Sequence, residues 1–288
     1  MRSLDEVRAL LAQRRQGDGQ ALASVAPSRA EQPVISAAQR NIWAKQQLDP
    51  ASCAYNLCLR LTFRWDDGAE PVDERRLVEA FHTVVRRHEV LRTTYPTGED
   101  GEPWQCVHDL LPPQVRQHPP GTDVDVVTRE AVARPFDLAV DTPMRLDLVR
   151  VGEQTLVVVM TLQHIVWDGM TMSVLARELS AAYLTQELPA PTWQVADFAA
   201  EEQTSGHEGA RTYWKGVFRD GVPQLALPLE HEDSETGARR DYRLSVAADA
   251  NLRSLAKEHR TTPFAVFIAA FHLALRVVTG QVRTVIGT

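Results

Sequence analysis

The run Thr155-Leu156-Val157-Val158-Val159-Met160-Thr161-Leu162 is apolar almost without interruption, and it leads straight into Gln163-His164-Ile165-Val166-Trp167-Asp168-Gly169. A strand with one wet face would alternate, so this run predicts a strand buried on both faces. A histidine therefore stands where a core strand ends. Asp168 and Gly169 break the strand, and residues 170–184 take up helical periodicity, with Met172, Leu175, Leu179, Ala182 and Tyr183 on one face. The result is a strand-to-helix turn, a place where α/β proteins commonly build sites. Such a turn can hold an imidazole rigidly, set a carboxylate a few residues away, and aim the helix's first backbone NH groups at developing negative charge.

The rest of the chain supplies partners for that strand. Leu57, Leu59, Leu61 and Phe63 alternate through residues 55–63, which predicts a half-buried strand. Residues 73–88 form a helix with Leu77, Ala80, Phe81 and Val84 inward, followed by a short strand over 90–95, a turn over 96–103 and a strand over 104–108. Residues 112–122 read as a proline-bearing loop and 124–133 as a helix. The strand over 144–151 can pair with 155–164 across Gly152-Glu153-Gln154. Hairpins mixed with helical crossovers predict a mixed sheet with helices packed against it. Beyond the motif helix, 195–203, 209–218, 252–259 and 263–279 read as helices, 238–246 as a strand, and 283–288 as a strand beginning. The helix over 263–279 is apolar nearly all round, which predicts deep burial, and Pro263 suits a helix start.

Composition narrows the function classes. A formal net charge of -7 without a dense Lys/Arg cluster argues against nucleic acid as a partner. The longest apolar runs carry polar or titratable residues and fall short of a membrane span, and Met1-Arg2-Ser3-Leu4-Asp5-Glu6 lacks the apolar core of a signal peptide. No membrane partner and a cytoplasmic location are expected. Cys53, Cys58 and Cys106 are odd in number and lack metal-ligand spacing, which disfavours disulfides and zinc and leaves them as small buried residues. Ahead of the folded part, Leu4, Val7, Leu10 and Leu11 make one helical stripe on a Gly/Gln/Ala/Ser-rich tether. Residues 1–32 thus read as an amphipathic helix with a flexible linker, open to a docking role or a merely structural one.

Residues 163–169 resemble the HHxxxDG signature of nonribosomal peptide synthetase condensation domains, within the chloramphenicol-acetyltransferase-like acyltransferase superfamily. Gln163 replaces the first His, while His164, Asp168 and Gly169 match. Three further segments resemble the family in the right order. Ser36-Ala37-Ala38-Gln39-Arg40-Asn41-Ile42-Trp43 is similar to its S-x-A-Q-x-x-x-W opening, and Arg87-His88-Glu89-Val90-Leu91-Arg92-Thr93 to its RHExLRT segment. Thr262-Pro263-Phe264 to Gly280, with Val285-Ile286-Gly287-Thr288, is similar to the stretch entering the second lobe.

The resemblance implies a chloramphenicol-acetyltransferase-like α/β fold, a mixed sheet with packed helices and an incomplete second lobe. Residues 33–220 would be the first lobe, and 221–288 a linker and the beginning of the second. The implied reaction is amide formation between a donor acyl or peptidyl group and an acceptor aminoacyl group. Both are phosphopantetheine thioesters on peptidyl carrier proteins, beside adjacent synthetase domains, with no cofactor or metal bound directly. Two alternatives differ in class: a non-catalytic condensation-like module that recruits a carrier or tailoring enzyme, and a free-standing acyltransferase.

The resemblance assigns the catalytic positions to His164 and Gly169. His164 would take a proton from the attacking nitrogen or hold that nitrogen in place, and both roles stay open. Asp168, Arg92 and Gln163 would be structural at the site. An Asp behind such a turn anchors it through an Arg, with Arg92 the expected partner and Arg145 the runner-up. Gly169 reads both as a turn glycine with positive φ and as bare backbone that lets substrate approach. Strand alternation turns Gln163 away from His164, and its amide can make the hydrogen bonds a His would, so the replacement is expected to be harmless.

Overall fold

A computed structural model describes residues 32–228 and 243–287, so the helix and linker expected over 1–32 lie almost wholly outside the described residues. The chain divides into two compact units between Gly206 and His207.

The first unit is built on a four-stranded sheet. β1 (Asn56–Arg64) and β5 (Met144–Arg150) both pair antiparallel with β6 (Thr155–Gln163), and β4 (Gln114–His118) pairs parallel with β5. The order is β1-β6-β5-β4, which puts the apolar strand inside. Its continuous hydrophobicity now has a direct cause. Leu156, Val158, Met160 and Leu162 enter the main core, while Val157 and Val159 join Val149 and Val127 in a smaller cluster on the opposite face. Val127 belongs to α3 (Val124–Val132), which the Asp123 carboxylate caps by accepting from the Asp125 and Val126 amides.

On the main face lie α2 (Glu74–Arg87) and α4 (Thr171–Tyr183), packed against each other. Asp73 caps α2 through the Arg75 and Arg76 amides, and Leu77, Ala80, Phe81, Val84 and Val85 are its buried stripe. The Asp73 amide in turn donates to the Tyr183 hydroxyl at 3.1 Å, fastening the start of α2 to the end of α4. α1 (Ala37–Leu48) opens with a capping box in which Ser36 and Gln39 satisfy each other's amides. α5 (Val195–Thr204) closes the unit.

Two expectations fail here for identifiable reasons. Residues 90–95 do not form one strand: Glu89–Arg92 is a 3-10 turn, and only Thr93–Thr94 (β2) pairs, with Cys106–Val107 (β3). The adjacent apolar pair Val90 and Leu91 belongs to the turn rather than to an alternating strand. The supposed loop over 112–122 contains β4, whose sequence Gln-Val-Arg-Gln-His has a single strong apolar residue because it lies at the sheet edge.

The second unit holds α6 (Glu208–Val217), α7 (Val246–Glu258) and α8 (Pro263–Thr279). α8 has the expected bounds, Pro263 in its first turn, a Thr262 cap and Gly280 at φ 72° just beyond its end. It is not deeply buried, however. Phe264 is 58% exposed and Val277 87%, because α7 is the one helix among the described residues that packs closely on it and leaves the rest of its apolar circumference open. The strand expected over 238–246 is not found in its described part, since Val246 starts α7, and 281–287 forms no strand. No single described helix is long and apolar enough to cross a membrane.

Candidate active site

The site is the turn that joins β6 to α4. Strand alternation leaves Gln163 buried, at 1% exposure, and His164 exposed. The Gln163 amide donates to the Pro143 carbonyl at 3.1 Å, and the His164 amide donates to the Tyr55 carbonyl at 2.9 Å. Both neighbouring segments thus grip the strand end. The Gln163 side-chain carbonyl accepts from the Ile165 amide at 2.9 Å and caps a 3-10 turn over His164–Val166. Gln163 therefore does a local backbone job beneath the imidazole. The imidazole itself meets the Tyr55 ring edge-on, with centroids 6.3 Å apart and planes at 76°.

Asp168 occupies the next corner. Its Oδ1 accepts from the Met170 amide at 2.9 Å, the Thr171 amide at 2.9 Å and the Thr171 hydroxyl at 2.7 Å. These bonds satisfy amides at the start of α4. The Thr171 hydroxyl bond, with the backbone bonds and the nearby His164, holds the Asp168 carboxyl below the ordinary carboxylate range. The expected ion pair is not formed. Arg92 donates to the His108 carbonyl and lies 3.7 Å from Glu89. Arg145 donates at 2.8 Å to the Arg134 and Pro135 carbonyls and at 2.9 Å to Asp141, with its guanidinium over the Phe136 ring. Asp168 is exposed, so three short-range donors suffice and no buried counter-charge is needed.

Gly169 also departs from expectation. It is not among the glycines with positive φ, and a Cβ built on it would meet nothing within 4 Å. Neither backbone conformation nor crowding requires glycine there. What remains of the two readings is the bare backbone beside an exposed imidazole.

Two of the other matching segments are tied to this turn and to the helix that follows it. Gln39, in the opening segment, donates from Nε2 to the Ile165 carbonyl at 3.3 Å and to the Tyr95 hydroxyl at 3.2 Å. Burial pushes the Tyr95 phenol well up, an effect the Gln39 bond partly offsets, so it stays neutral. From the second segment, Arg87 Nε and His88 Nε2 reach Glu178 Oε2 on α4, at 2.8 and 2.6 Å. Burial alone would raise the Glu178 carboxyl, but the bonds and charges of His88 and Arg87 outweigh it and hold the group below its ordinary range. Gln194 adds a third tie, accepting from the Glu89 amide at 3.1 Å and donating to the Arg87 carbonyl at 3.1 Å. Sequence reasoning missed Glu178, although a carboxylate between Leu175 and Leu179 of an inward face is itself a sign of a buried partner.

Among the described residues, no group of three or more His, Cys, Asp or Glu is placed to hold a metal. The condensation domain family model matches residues 29–288. Tyrocidine synthase 3 of Brevibacillus parabrevis is 30% identical over 263 residues, covering 88% of this chain and 4% of that synthase, so this chain spans only a small part of the length of such a relative. The teicoplanin-biosynthesis X-domain, solved in complex with OxyB, matches with a TM-score of 0.72 at 25% identity over 89% of this chain and 59% of that one. The first condensation domain of the calcium-dependent antibiotic synthetase, solved with a substrate analogue, shares the fold, with a TM-score of 0.70 at 22% identity over 88% of this chain and 61% of that one. With a mixed sheet of the chloramphenicol-acetyltransferase-like kind and an exposed His164 on the turn after its central strand, the chain belongs to the condensation domain family of nonribosomal peptide synthetases.

Proposed function

We propose that this chain supplies the His164 wall of a site that forms an amide bond between a donor acyl or peptidyl thioester and an acceptor aminoacyl thioester. Each is carried on the phosphopantetheine of a carrier protein in a cytoplasmic synthetase. Residues 33–220 are on this reading the first lobe, and 221–288 lead into the second. The acceptor amine attacks the donor carbonyl, a C–N bond forms, the C–S bond breaks, and the donor thiol leaves. One proton passes from nitrogen to sulfur overall. His164 receives that proton or positions the amine that loses it, and the bare backbone at Gly169 leaves room for the reacting chain.

The observation that carries this reading is a contrast within two residues. Gln163 is buried and spent on the backbone, whereas His164 is exposed and makes no side-chain hydrogen bond to the described residues. In the complete domain with loaded carriers, His164→Ala should lower condensation by about 10²-fold or more, the scale of a lost proton-transfer group. Unchanged turnover in that variant would replace the enzyme reading with that of a binding module.

A further inference from the structure

The His164 imidazole lacks the group that orients most histidine bases. Such a histidine holds one ring nitrogen in a hydrogen bond, and that bond aims the other nitrogen at the reaction. Here the motif carboxylate faces elsewhere: Asp168 Oδ1 accepts from the Met170 and Thr171 amides and the Thr171 hydroxyl. The imidazole is exposed and makes no side-chain hydrogen bond to the described residues. An unsupported ring in that position samples several staggered rotamers, and an incoming amine meets a well-aimed nitrogen only part of the time.

Strand pairing supplies a different support. Asn56 lies opposite Gln163 in the β1–β6 register, and both are buried, with Asn56 Nδ2 donating to the Val132 and Arg134 carbonyls at the end of α3, at 2.8 and 2.9 Å. One residue further out, alternation turns Tyr55 and His164 together to the other face. The two rings meet there edge-on, with centroids 6.3 Å apart, a favoured aromatic geometry, while the His164 amide donates to the Tyr55 carbonyl. Tyr55 is itself held. Gln46 Nε2, near the end of α1, donates to the Pro50 carbonyl at 3.0 Å, and the Asn56 amide donates to the Cys53 carbonyl at 3.0 Å, so the loop that carries the ring is fastened at both ends. From the same helix the Lys45 ammonium stands 5.5 Å from the centroid of the half-buried Tyr55 ring, within reach of cation–π attraction. The Tyr55 hydroxyl makes no hydrogen bond to the described residues, so what the residue contributes is its ring.

We propose that Tyr55 is a positioning residue for His164, and that Lys45, by holding the Tyr55 ring, sets the orientation of the imidazole at one remove. The proposal rests on the reading of His164 given above. Backed by the ring, the imidazole keeps a nitrogen turned toward the reacting amine. Without the ring it keeps its basicity and loses its aim. That loss lowers the rate of the bound complex and leaves the binding of either thioester as it was.

The test uses the complete domain with loaded donor and acceptor carriers. Tyr55→Leu should lower kcat by about three- to tenfold, the rate equivalent of one aromatic pair, with KM for both carriers unchanged. Tyr55→Phe keeps the ring and should restore the rate. Lys45→Met keeps the stem without the charge and should lower kcat by about two- to threefold; added to Tyr55→Leu it should lower kcat no further, because Lys45 acts through the ring. In histidine-labelled protein, the His164 ring-proton signals, assigned with His164→Ala, should shift in Tyr55→Leu and return in Tyr55→Phe. Melting curves identify the folded variants, and Lys45 is exposed, so Lys45→Met carries the test even where Tyr55→Leu does not fold. An unchanged kcat in folded Tyr55→Leu or in Lys45→Met, an equal loss in Tyr55→Phe, or a change in KM alone overturns the proposal. If His164→Ala itself leaves turnover unchanged, the parent reading falls, while the ring-proton signals still decide whether Tyr55 holds the imidazole.

Discussion

Gln39 and Ile165 stand 126 positions apart in the chain, yet a 3.3 Å hydrogen bond from the Gln39 amide to the Ile165 carbonyl fixes the residue next to His164. Both ends are buried, so neither can turn to water if the other is lost. Gln39→Leu should cost about 1–3 kcal/mol, the penalty for orphaning a buried acceptor. Denaturant unfolding measures that loss. A condensation assay on the folded fraction should show a further fall in rate, because the imidazole's support has loosened.

For Asp168 the geometry gives a smaller number than a buried ion pair would. Asp168→Ala removes the acceptor of the Met170 and Thr171 amides where the chain enters α4 and should cost about 0.5–2 kcal/mol, the scale of a lost capping side chain, and Asp168→Asn should restore most of it. A loss near the roughly 3–5 kcal/mol of a broken buried pair would mean that Asp168 meets an arginine in the complete domain. Thermal melting of the two variants separates these cases.

Glu178 is where the large electrostatic penalty belongs. Its side chain is 5% exposed and that of Arg87 14%, so Glu178→Ala strands a buried guanidinium and should cost about 3–5 kcal/mol. The pH dependence has a definite sign. Because the folded carboxyl is held below its unfolded value, the pair's stabilisation is complete above the ordinary carboxylate range and disappears as pH falls through the folded value. Glu178→Gln should therefore flatten the acid limb of the stability curve while leaving a less stable protein at neutral pH.

α8 carries Phe264, Phe267, Phe271 and Leu273 at 45–59% exposure. A helix face of this kind is adhesive in water. The isolated chain should sediment as self-associated species, and Phe267→Glu with Phe271→Lys should shift it toward monomer. A monodisperse wild-type chain at high concentration would show that the face is covered.

Much of this architecture can be read from one sequence because periodicity reports burial directly. The two-sided cover of β6, the amphipathic stripe of α2 and the hairpin between β5 and β6 all follow from where apolar residues fall. Opposite burial of Gln163 and His164 was legible for the same reason. What stayed hidden depends on partners rather than period. β4 is polar because it is an edge, and α8 is apolar whether or not it is covered. Arg92 looked like the mate of Asp168, but a carboxylate at a helix start can be satisfied by amides two and three residues on, which no charge pattern records. Gly169 misled through composition, because glycine invites an argument from positive φ that its backbone does not need.

The sheet order also has a consequence during synthesis. β1 ends at Arg64 and pairs with β6, which begins at Thr155, so a growing chain holds β1 without its partner while the whole intervening stretch is made. Contacts so distant in sequence are slow to form, and an unpaired half-apolar strand is open to pairing with another nascent chain in the meantime. The residues that fix His164 come from both ends of that interval, Tyr55 before it and Gln163 after it. The turn that carries His164 is thus among the last features of the first unit to mature, and translation pausing between Arg64 and Thr155 would lengthen the window in which the nascent protein aggregates.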